Sequence, residues 1–332
     1  MHPLYLIQQG AKIRITNRRL QVELDSEILV NVPVSHISQV VLFGNISLTT
    51  PAIAALLDQG SEVVFLKRAG EFRGRLTGSL TPHVPLRRAQ YAMSGKPDFA
   101  LEMAKGFATA KLKHMRVLLL RHNRSNGDGE IEKCVQQIRA ALDSIPNKTS
   151  VSGLLGLEGS ASAAYFRGFR RLFGQEWNFR DRNRRPPRDP VNVLLSFGYT
   201  LLTQLATSAV QTCGLDPYAG FLHELAYNRP ALGLDLAEEF RPVIDGVVLW
   251  CCNSGAITPA NFSPGPAERP VVLDDAGRRS FLAAYEKRLE QRFTHPGRGM
   301  QFPLRQCVYE QARQIASRIM DDSPGYEGMG FK

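Results

Sequence analysis

Over the first 80 residues, apolar positions alternate with polar ones or run in short β-branched blocks. Lys12-Ile13-Arg14-Ile15, Leu20-Gln21-Val22-Glu23-Leu24, Ser35 to Phe43 and Glu62-Val63-Val64-Phe65-Leu66 carry the two-residue period or the continuous apolar run of strands. Gly44-Asn45 and Arg68-Ala69-Gly70 supply turns. One helix is predicted among them, with Thr50-Pro51 as cap and first-turn proline, Ala52, Ala55, Leu56 and Leu57 as its apolar face, and Gly60 as its stop. The two prolines of Thr81-Pro82-His83-Val84-Pro85 predict a stiff linker biased away from helix and sheet. Beyond it the period lengthens. From Phe99 to Asn123 and from Ile131 to Leu142 apolar residues recur every three or four positions, as on amphipathic helices, and Asn126-Gly127-Asp128-Gly129 separates the two. Asp189-Pro190 and Asp216-Pro217 each predict a helix start, a capping carboxylate followed by proline. The fold class expected is α+β by domain: a small β-rich N-terminal domain over 1–81, a linker over 82–90, and a larger all-α C-terminal domain over 91–332, with a Gly-rich tail from about 323 expected to be mobile. No internal repeat is visible.

Composition narrows the function classes. The 43% hydrophobic and 22% charged content is that of a globular chain and speaks against disordered and fibrous classes. The most apolar stretch, Val191 to Val210, contains Asn192, Ser196, Tyr199, Thr200, Thr203, Gln204, Thr207 and Ser208, so it reads as a buried helix rather than a lipid-facing one. The N-terminus lacks the basic and apolar regions of an export signal, and the five cysteines have no zinc-type spacing; a reduced, cytoplasmic setting is expected. The charge is the informative number. A net +10 favours polyanionic partners, and only eight basic against six acidic side chains lie in residues 1–80, so most of the excess sits in the helical part.

The phosphate-cradling, dinucleotide-binding, zinc-protease and serine-elbow templates are absent. Three local features remain. Glu158 lies in the small-residue segment Gly156-Leu157-Glu158-Gly159-Ser160-Ala161-Ser162-Ala163-Ala164-Tyr165, where it is either a solvent-facing glutamate at a helix start or a group packed among helices. His223, in Gly220-Phe221-Leu222-His223-Glu224, is followed by Asp235 and Glu238, three apart and so on one helix face. A histidine with converging carboxylates can hold a divalent ion with positions open to water and phosphate, but a core histidine, an N-cap aspartate and a solvated glutamate pair, Glu238 and Glu239, have the same spacing. The third feature is a basic run of Arg167, Arg170, Arg171, Arg180, Arg182, Arg184, Arg185 and Arg188, interleaved with Phe166, Phe169, Phe173, Trp177 and Phe179. Its guanidiniums suit phosphate oxygens and its aromatics either stack on bases or belong to a core beneath a solvated loop.

Several of these motifs in one order, the G-L-E-G-x-x-A helix, R-R-P-P-x-D-P-x-N from Arg184, G-L-D-P-x-x-G-F-L-H from Gly214 and R-P-x-L-x-L-D-L-x-E-E-F-R-P from Arg229, resemble the CRISPR-associated spacer-acquisition integrase, the near-universal adaptation nuclease family. The likeness runs from Ile37 to Arg313. It implies that Glu158, His223 and Glu238 are metal ligands and catalytic residues, with Asp235 a nearby acidic residue that in some members also contributes, and that Tyr165 neighbours the active centre. His114, in what reads as a helix end at Lys111-Leu112-Lys113-His114-Met115-Arg116, departs from an asparagine common in relatives. The resemblance further implies Mg²⁺ or Mn²⁺ as cofactor and an endonuclease and integrase activity that joins 3′-hydroxyl ends of protospacer DNA into a CRISPR repeat. It implies double-stranded DNA as partner, a homodimer formed through the β-rich domain, a small ferredoxin-like partner dimer bridging two homodimers, and no membrane. The arginine run would hold DNA. A structure-selective nuclease on branched DNA, a non-catalytic DNA scaffold, and an enzyme without a nucleic-acid substrate are the rival readings.

Overall fold

The computed structural model describes residues 2–79, 81–124, 127–224, 226–321 and 325–330. The chain divides into two compact units, Met1–Leu80 and Thr81–Lys332.

The first unit contains β1 (His2–Leu6), β2 (Lys12–Thr16), β3 (Arg19–Leu24), β4 (Glu27–Pro33), β5 (Ile37–Phe43), β6 (Ser47–Leu48), α1 (Thr50–Asp58), β7 (Glu62–Leu66) and β8 (Phe72–Leu76). They form two four-stranded sheets in the orders β1-β5-β7-β8 and β4-β3-β2-β6. In the first, β5 lies parallel between β1 and β7, with Val40 opposite Leu4 on one side and Val63 on the other. In the second, β2, β3 and β4 form an antiparallel meander. Its two tight turns place Asn17-Arg18 and Asp25-Ser26 at positive φ, the backbone twist that two-residue hairpins demand. Ile13, Leu20, Val22, Val40, Leu42, Ala52, Leu56 and Val63 share one core, which is why the alternation in β2 and β3 is so clear. β4 carries no such signal because Glu27, Ile28, Leu29 and Asn31 are all exposed.

The second unit is helical: α2 (Val84–Ser94), α3 (Pro97–Asn123), α4 (Gly129–Ser144), α5 (Val151–Phe169), α6 (Pro190–Thr212) and α7 (Ala231–Asn253) precede two short antiparallel ribbons that bracket α8. These are β9 (Phe262–Pro264) with β10 (Val271–Leu273), then α8 (Asp275–Leu289), then β11 (Arg292–Thr294) with β12 (Gln301–Pro303), and α9 (Leu304–Ile319) follows. α6 is long and apolar enough to cross a membrane by length and composition, but 72% of its apolar window is buried inside the protein. It packs on α7, where a Cβ on Gly233 would sit 2.5 Å from Thr207 Oγ1 and one on Gly198 2.4 Å from Ile244 Cγ2; the glycines are what let the two helices approach.

Four sequence expectations are corrected. The proline linker over 82–90 is helical from Val84 onward, because Pro85 falls in the first turn of α2, where a missing N–H costs nothing. Asp216-Pro217 opens a turn rather than a helix: Asp216 Oδ1 accepts from Tyr218 N–H and the Gln90 side chain grips both backbone groups of Asp216 and the Ala219 carbonyl. His114 lies in the middle of α3, not at a helix end. The tail, of which residues 322–324 and 331–332 lie outside the described residues, is tied down: Tyr326 and Met329 are buried, the latter to 1% exposure. The Tyr326 ring packs tilted against Phe107, centroid to centroid 4.9 Å.

Candidate metal and nucleic-acid site

α3, α5 and α7 bring three sequence-distant charges together. Lys111 of α3 is 5% exposed, and its Nζ lies 2.5 Å from Glu158 Oε1 of α5 and 2.7 Å from Glu238 Oε2 of α7. Glu158 is therefore no solvent-facing residue at a helix start. It stands in mid-helix, where Ser162 Oγ, one turn on, also donates to its Oε1 at 2.6 Å. Small residues at Gly156, Gly159, Ala161 and Ala163 leave this stretch of α5 uncrowded around the carboxylate.

His223 enters from the α6–α7 loop and is aimed by Asp235. The Asp235 carboxylate is fully buried. Its Oδ2 accepts from the backbone N–H groups of Phe221 and Leu222 at 2.6 and 2.9 Å, and its Oδ1 accepts from the His223 N–H at 3.0 Å and faces His223 Nδ1 at 2.7 Å. A carboxylate that binds three successive amides folds the loop around itself, and because it can only accept, it fixes the proton on Nδ1. Nε2 is left with its lone pair outward, 3.7 Å from Glu238 Oε1. Gly220 permits this approach: a Cβ there would lie 2.7 Å from Asp235 Oδ2 and 2.8 Å from Ala231. Asp235 is thus a positioning residue with its lone pairs committed, and Glu238 is the α7 carboxylate that faces the other charges.

Burial would raise the Glu238 carboxyl, but the Arg241 guanidinium, the Lys111 ammonium and His223 outweigh it and hold the group at about 2. Arg241 Nη1, one turn along, contacts Glu238 Oε1 at 2.6 Å. Glu238 Oε2 has no well-directed hydrogen bond even though the lysine ammonium is within ion-pair distance. Among the described residues no three His, Cys, Asp or Glu side chains are gathered tightly enough to hold an ion as they stand; the two glutamates close instead on Lys111. The donors nevertheless suit a divalent cation. Two carboxylates already share one cation, a buried carboxylate oxygen is underbonded, and an imidazole with a free Nε2 is braced through its other nitrogen by a carboxylate, the support that metal-ligating histidines receive.

Tyr165 is fully buried and donates to Asp245 Oδ2 at 2.8 Å, while Tyr199 donates to Oδ1 of the same carboxylate at 2.5 Å. Burial pushes the Asp245 carboxyl up to about 6 against the pull of the two hydroxyls, Arg182 and Lys111. Tyr199 also carries two guanidiniums on its ring, Arg182 at 5.4 Å and Arg241 at 5.0 Å. Lys111, Arg241, Tyr199 and Asp245 have no spacing motif of their own; only Arg241, three after Glu238, could have been placed on the glutamate's face from sequence.

Glu239 is also no solvated residue. It is completely buried, its oxygens meeting the Tyr326 hydroxyl, the Met329 N–H at 2.6 Å and Gln311 Nε2 at 2.8 Å. Burial outweighs these donors and pushes its carboxyl up to about 7. His114 Nδ1 meets the Glu239 carbonyl oxygen at 2.7 Å, and burial pushes the imidazole down to about 4.

The arginine run is divided. Arg167, Arg170, Arg171, Arg180, Arg184, Arg185 and Arg188 are exposed, with Arg171 paired to Asp128 at 2.8 Å and Arg167 hydrogen-bonded to Gln137. Arg182 turns inward, bonded to the Asn183 carbonyl, Asn192 Oδ1 and Ser196 Oγ. The interleaved aromatics belong to the core: Phe169, Trp177, Phe166 and Phe179 are buried, and Phe169 contacts Tyr165, Phe166, Phe173 and Phe179 at centroid distances of 5.0 to 6.1 Å. They are unavailable for stacking on bases.

A β-rich unit is followed by a helical unit in which a lysine and two carboxylates from three helices meet, and the comparisons give this arrangement a family. The model of the CRISPR associated protein Cas1 family matches residues 4–287. "CRISPR-associated endonuclease Cas1 1" of Thermus thermophilus is 37% identical over 318 residues, 96% of each chain. The "CRISPR-associated exonuclease Cas4/endonuclease Cas1 fusion" of Rhodospirillum rubrum is 38% identical over 331 residues, 98% of this chain but 57% of the fusion, so the chain spans little more than half the length of that relative. Among solved structures, a casposase bound to integration product superposes with a TM-score of 0.87 at 22% identity, covering 98% of this chain and 93% of that one. A Cas6-RT-Cas1–Cas2 complex gives 0.85 at 25% identity, covering 99% of this chain and 36% of that one. The chain belongs to the Cas1 family.

Proposed function

We propose that the chain is a divalent-metal-dependent DNA endonuclease and integrase of CRISPR adaptation, joining 3′-hydroxyl ends of protospacer DNA into a CRISPR repeat. The carrying observation is that Glu158 and Glu238 share one buried cation while His223, braced by Asp235, holds a free Nε2 beside Glu238. Glu158, Glu238 and His223 Nε2 would hold Mg²⁺ or Mn²⁺, which when bound supplies charge neutralisation at the scissile phosphate. The reaction is an exchange: the bond between phosphorus and the attacking 3′ oxygen forms, the bond to the repeat-strand oxygen breaks, and the proton leaves one hydroxyl as the other gains one. No nucleotide is consumed, in keeping with the absence of nucleotide-binding motifs. The chain's own part is positioning. Asp235 fixes the imidazole tautomer, Arg241 keeps Glu238 ionised, and Lys111 holds the two glutamates facing each other. The seven exposed arginines from Arg167 to Arg188 hold the DNA backbone in this reading, with Arg182 bracing the loop that presents them.

The same reading takes in a homodimer through the β-rich unit, a ferredoxin-like partner dimer bridging two such homodimers, and a cytoplasmic location. Incubation of the protein and that partner with protospacer duplex, a repeat-bearing plasmid and Mn²⁺ tests it. Joined products lost in Glu158→Gln and His223→Ala, with DNA binding kept, are expected. Cleavage of branched DNA without any joining would replace the integrase by a structure-selective nuclease.

A further inference from the structure

A second cationic site lies farther along α3 and α7, away from the glutamates. A cleft of about 80 Å³ is lined by His114, Val117, Leu118 and Arg121 of α3, Pro242, Val243 and Gly246 of α7, Arg288 at the end of α8, and Phe293 of β11. Its walls are apolar and no carboxylate lines it. Two guanidiniums face it. Arg288 is the more enclosed; it lies over the Phe293 ring at 4.8 Å and donates to Gln291 Oε1, an uncharged acceptor. Burial first, and the neighbouring Arg121 second, hold its guanidinium below the usual value. Glu286 and Glu290, two residues either side of Arg288 in sequence, pair with Arg305 at 2.5 and 3.9 Å. Neither Arg121 nor Arg288 has an ion pair with a carboxylate among the described residues. His114, at the inner end, is held neutral by burial and cannot relieve or add to the charge.

The half-buried Arg288 and the exposed Arg121 line one cleft with apolar walls, and an anion seated between them would offset the repulsion of two like charges. The Arg288 guanidinium, held over the Phe293 ring and against the Gln291 amide oxygen, is an oriented planar donor, suited to the paired oxygens of a phosphate rather than to a spherical halide. We propose that the Arg121–Arg288 cleft binds a phosphate group, carried either in a DNA backbone or as a free phosphate ion. The inference needs neither the metal nor the joining reaction.

The test uses the full chain and two probes, inorganic phosphate followed by calorimetry and a short blunt DNA duplex followed by anisotropy over a salt series. Arg121→Gln with Arg288→Gln is expected to weaken phosphate binding at least about tenfold, the loss of two charge-assisted hydrogen bonds. It should lower the salt slope for duplex binding by about one. Loss with the duplex alone assigns the site to backbone phosphate, and loss with inorganic phosphate alone assigns it to a free ion. Wild-type behaviour with both overturns the proposal. Should the double variant fold poorly, crystals of the wild-type protein soaked in tungstate give the answer: an anomalous peak within hydrogen-bond reach of both guanidiniums is expected, and a cleft without one refutes it.

Discussion

Asp235→Asn separates the two roles that the Asp235 carboxylate combines. The carboxylate offers two accepting oxygens, one to the Phe221 and Leu222 amides and one to the His223 amide and Nδ1. An asparagine has one accepting oxygen. With that oxygen kept on the Phe221–Leu222 side, its NH₂ meets the His223 N–H and forces Nδ1 to become the acceptor, which moves the ring proton to Nε2. The lost amide partner costs about 1–3 kcal/mol of stability in the metal-free protein. The tautomer change removes the Nε2 lone pair, and loss of such outer support weakens metal binding by about 10–100-fold. At a Mn²⁺ concentration about 100 times the wild-type Kd, the wild type gains about 2.7 kcal/mol from the ion; a variant weakened 100-fold gains about 0.4 kcal/mol. At about 2–4 °C per kcal/mol, the melting increment on adding Mn²⁺ should shrink by about 5–9 °C. Calorimetric melts with and without Mn²⁺ measure it, with His223→Ala as the reference for loss of the ligand itself. An Asp235→Asn protein whose Mn²⁺ increment equals that of the wild type would refute the bracing role.

Three further expectations follow from the buried network and the basic loop. Tyr165→Phe strips one donor from the buried Asp245 carboxylate and should cost about 1–3 kcal/mol in urea unfolding, with duplex affinity unchanged; an equal loss of duplex affinity would put Tyr165 at the DNA instead. Glu239 is a carboxyl whose folded value is raised, to about 7, so the folded state holds the proton more tightly and stability falls as pH rises from the ordinary carboxyl value towards 7. Glu239→Gln removes that decline, and its melting temperature relative to wild type should rise between pH 5 and pH 8; a constant difference would contradict the burial argument. Arg184→Gln with Arg185→Gln, both exposed, should lower the salt slope of duplex binding by about one per lost phosphate contact, whereas Arg182→Gln should lower the melting temperature because it unbinds Asn192 and Ser196.

The parts of this molecule legible in its sequence are those where one physical effect dominates. In β2, β3, β5 and β7 burial of a single core imposes the alternation or the apolar run, and in α3, α4 and α6 it imposes the helical period, so these elements can be read directly. β4 is hidden because its apolar Ile28 and Leu29 face outward. Asp216-Pro217 misleads because the local capping signal is overruled by Gln90, 126 residues away in sequence from Asp216. The tail misleads for a related reason: glycines that signal mobility are here what let the chain lie flat, a Cβ on Gly328 falling 2.6 Å from Ala110. At the site, Glu158, His223 and Glu238 are found from the order of motifs, while the link of the two glutamates through Lys111 and the place of His223 beside Glu238 are visible only in the fold. Lys111 and Asp245 are invisible in sequence because nothing local distinguishes a buried lysine or aspartate from a solvated one; their partners, Glu158, Glu238, Tyr165 and Tyr199, come from other helices.

The central claim is that Glu158, His223 and Glu238 form one metal centre, with Lys111 now standing between the glutamates. Anomalous diffraction from crystals soaked in Mn²⁺ tests it most directly. A single strong peak within coordinating distance of both carboxylates and His223 Nε2, with the Lys111 ammonium displaced and the peak lost in Glu158→Gln, is the expected result. Saturating Mn²⁺ that leaves the Lys111 ion pairs in place and produces no peak there, in a protein that still joins DNA, would contradict it.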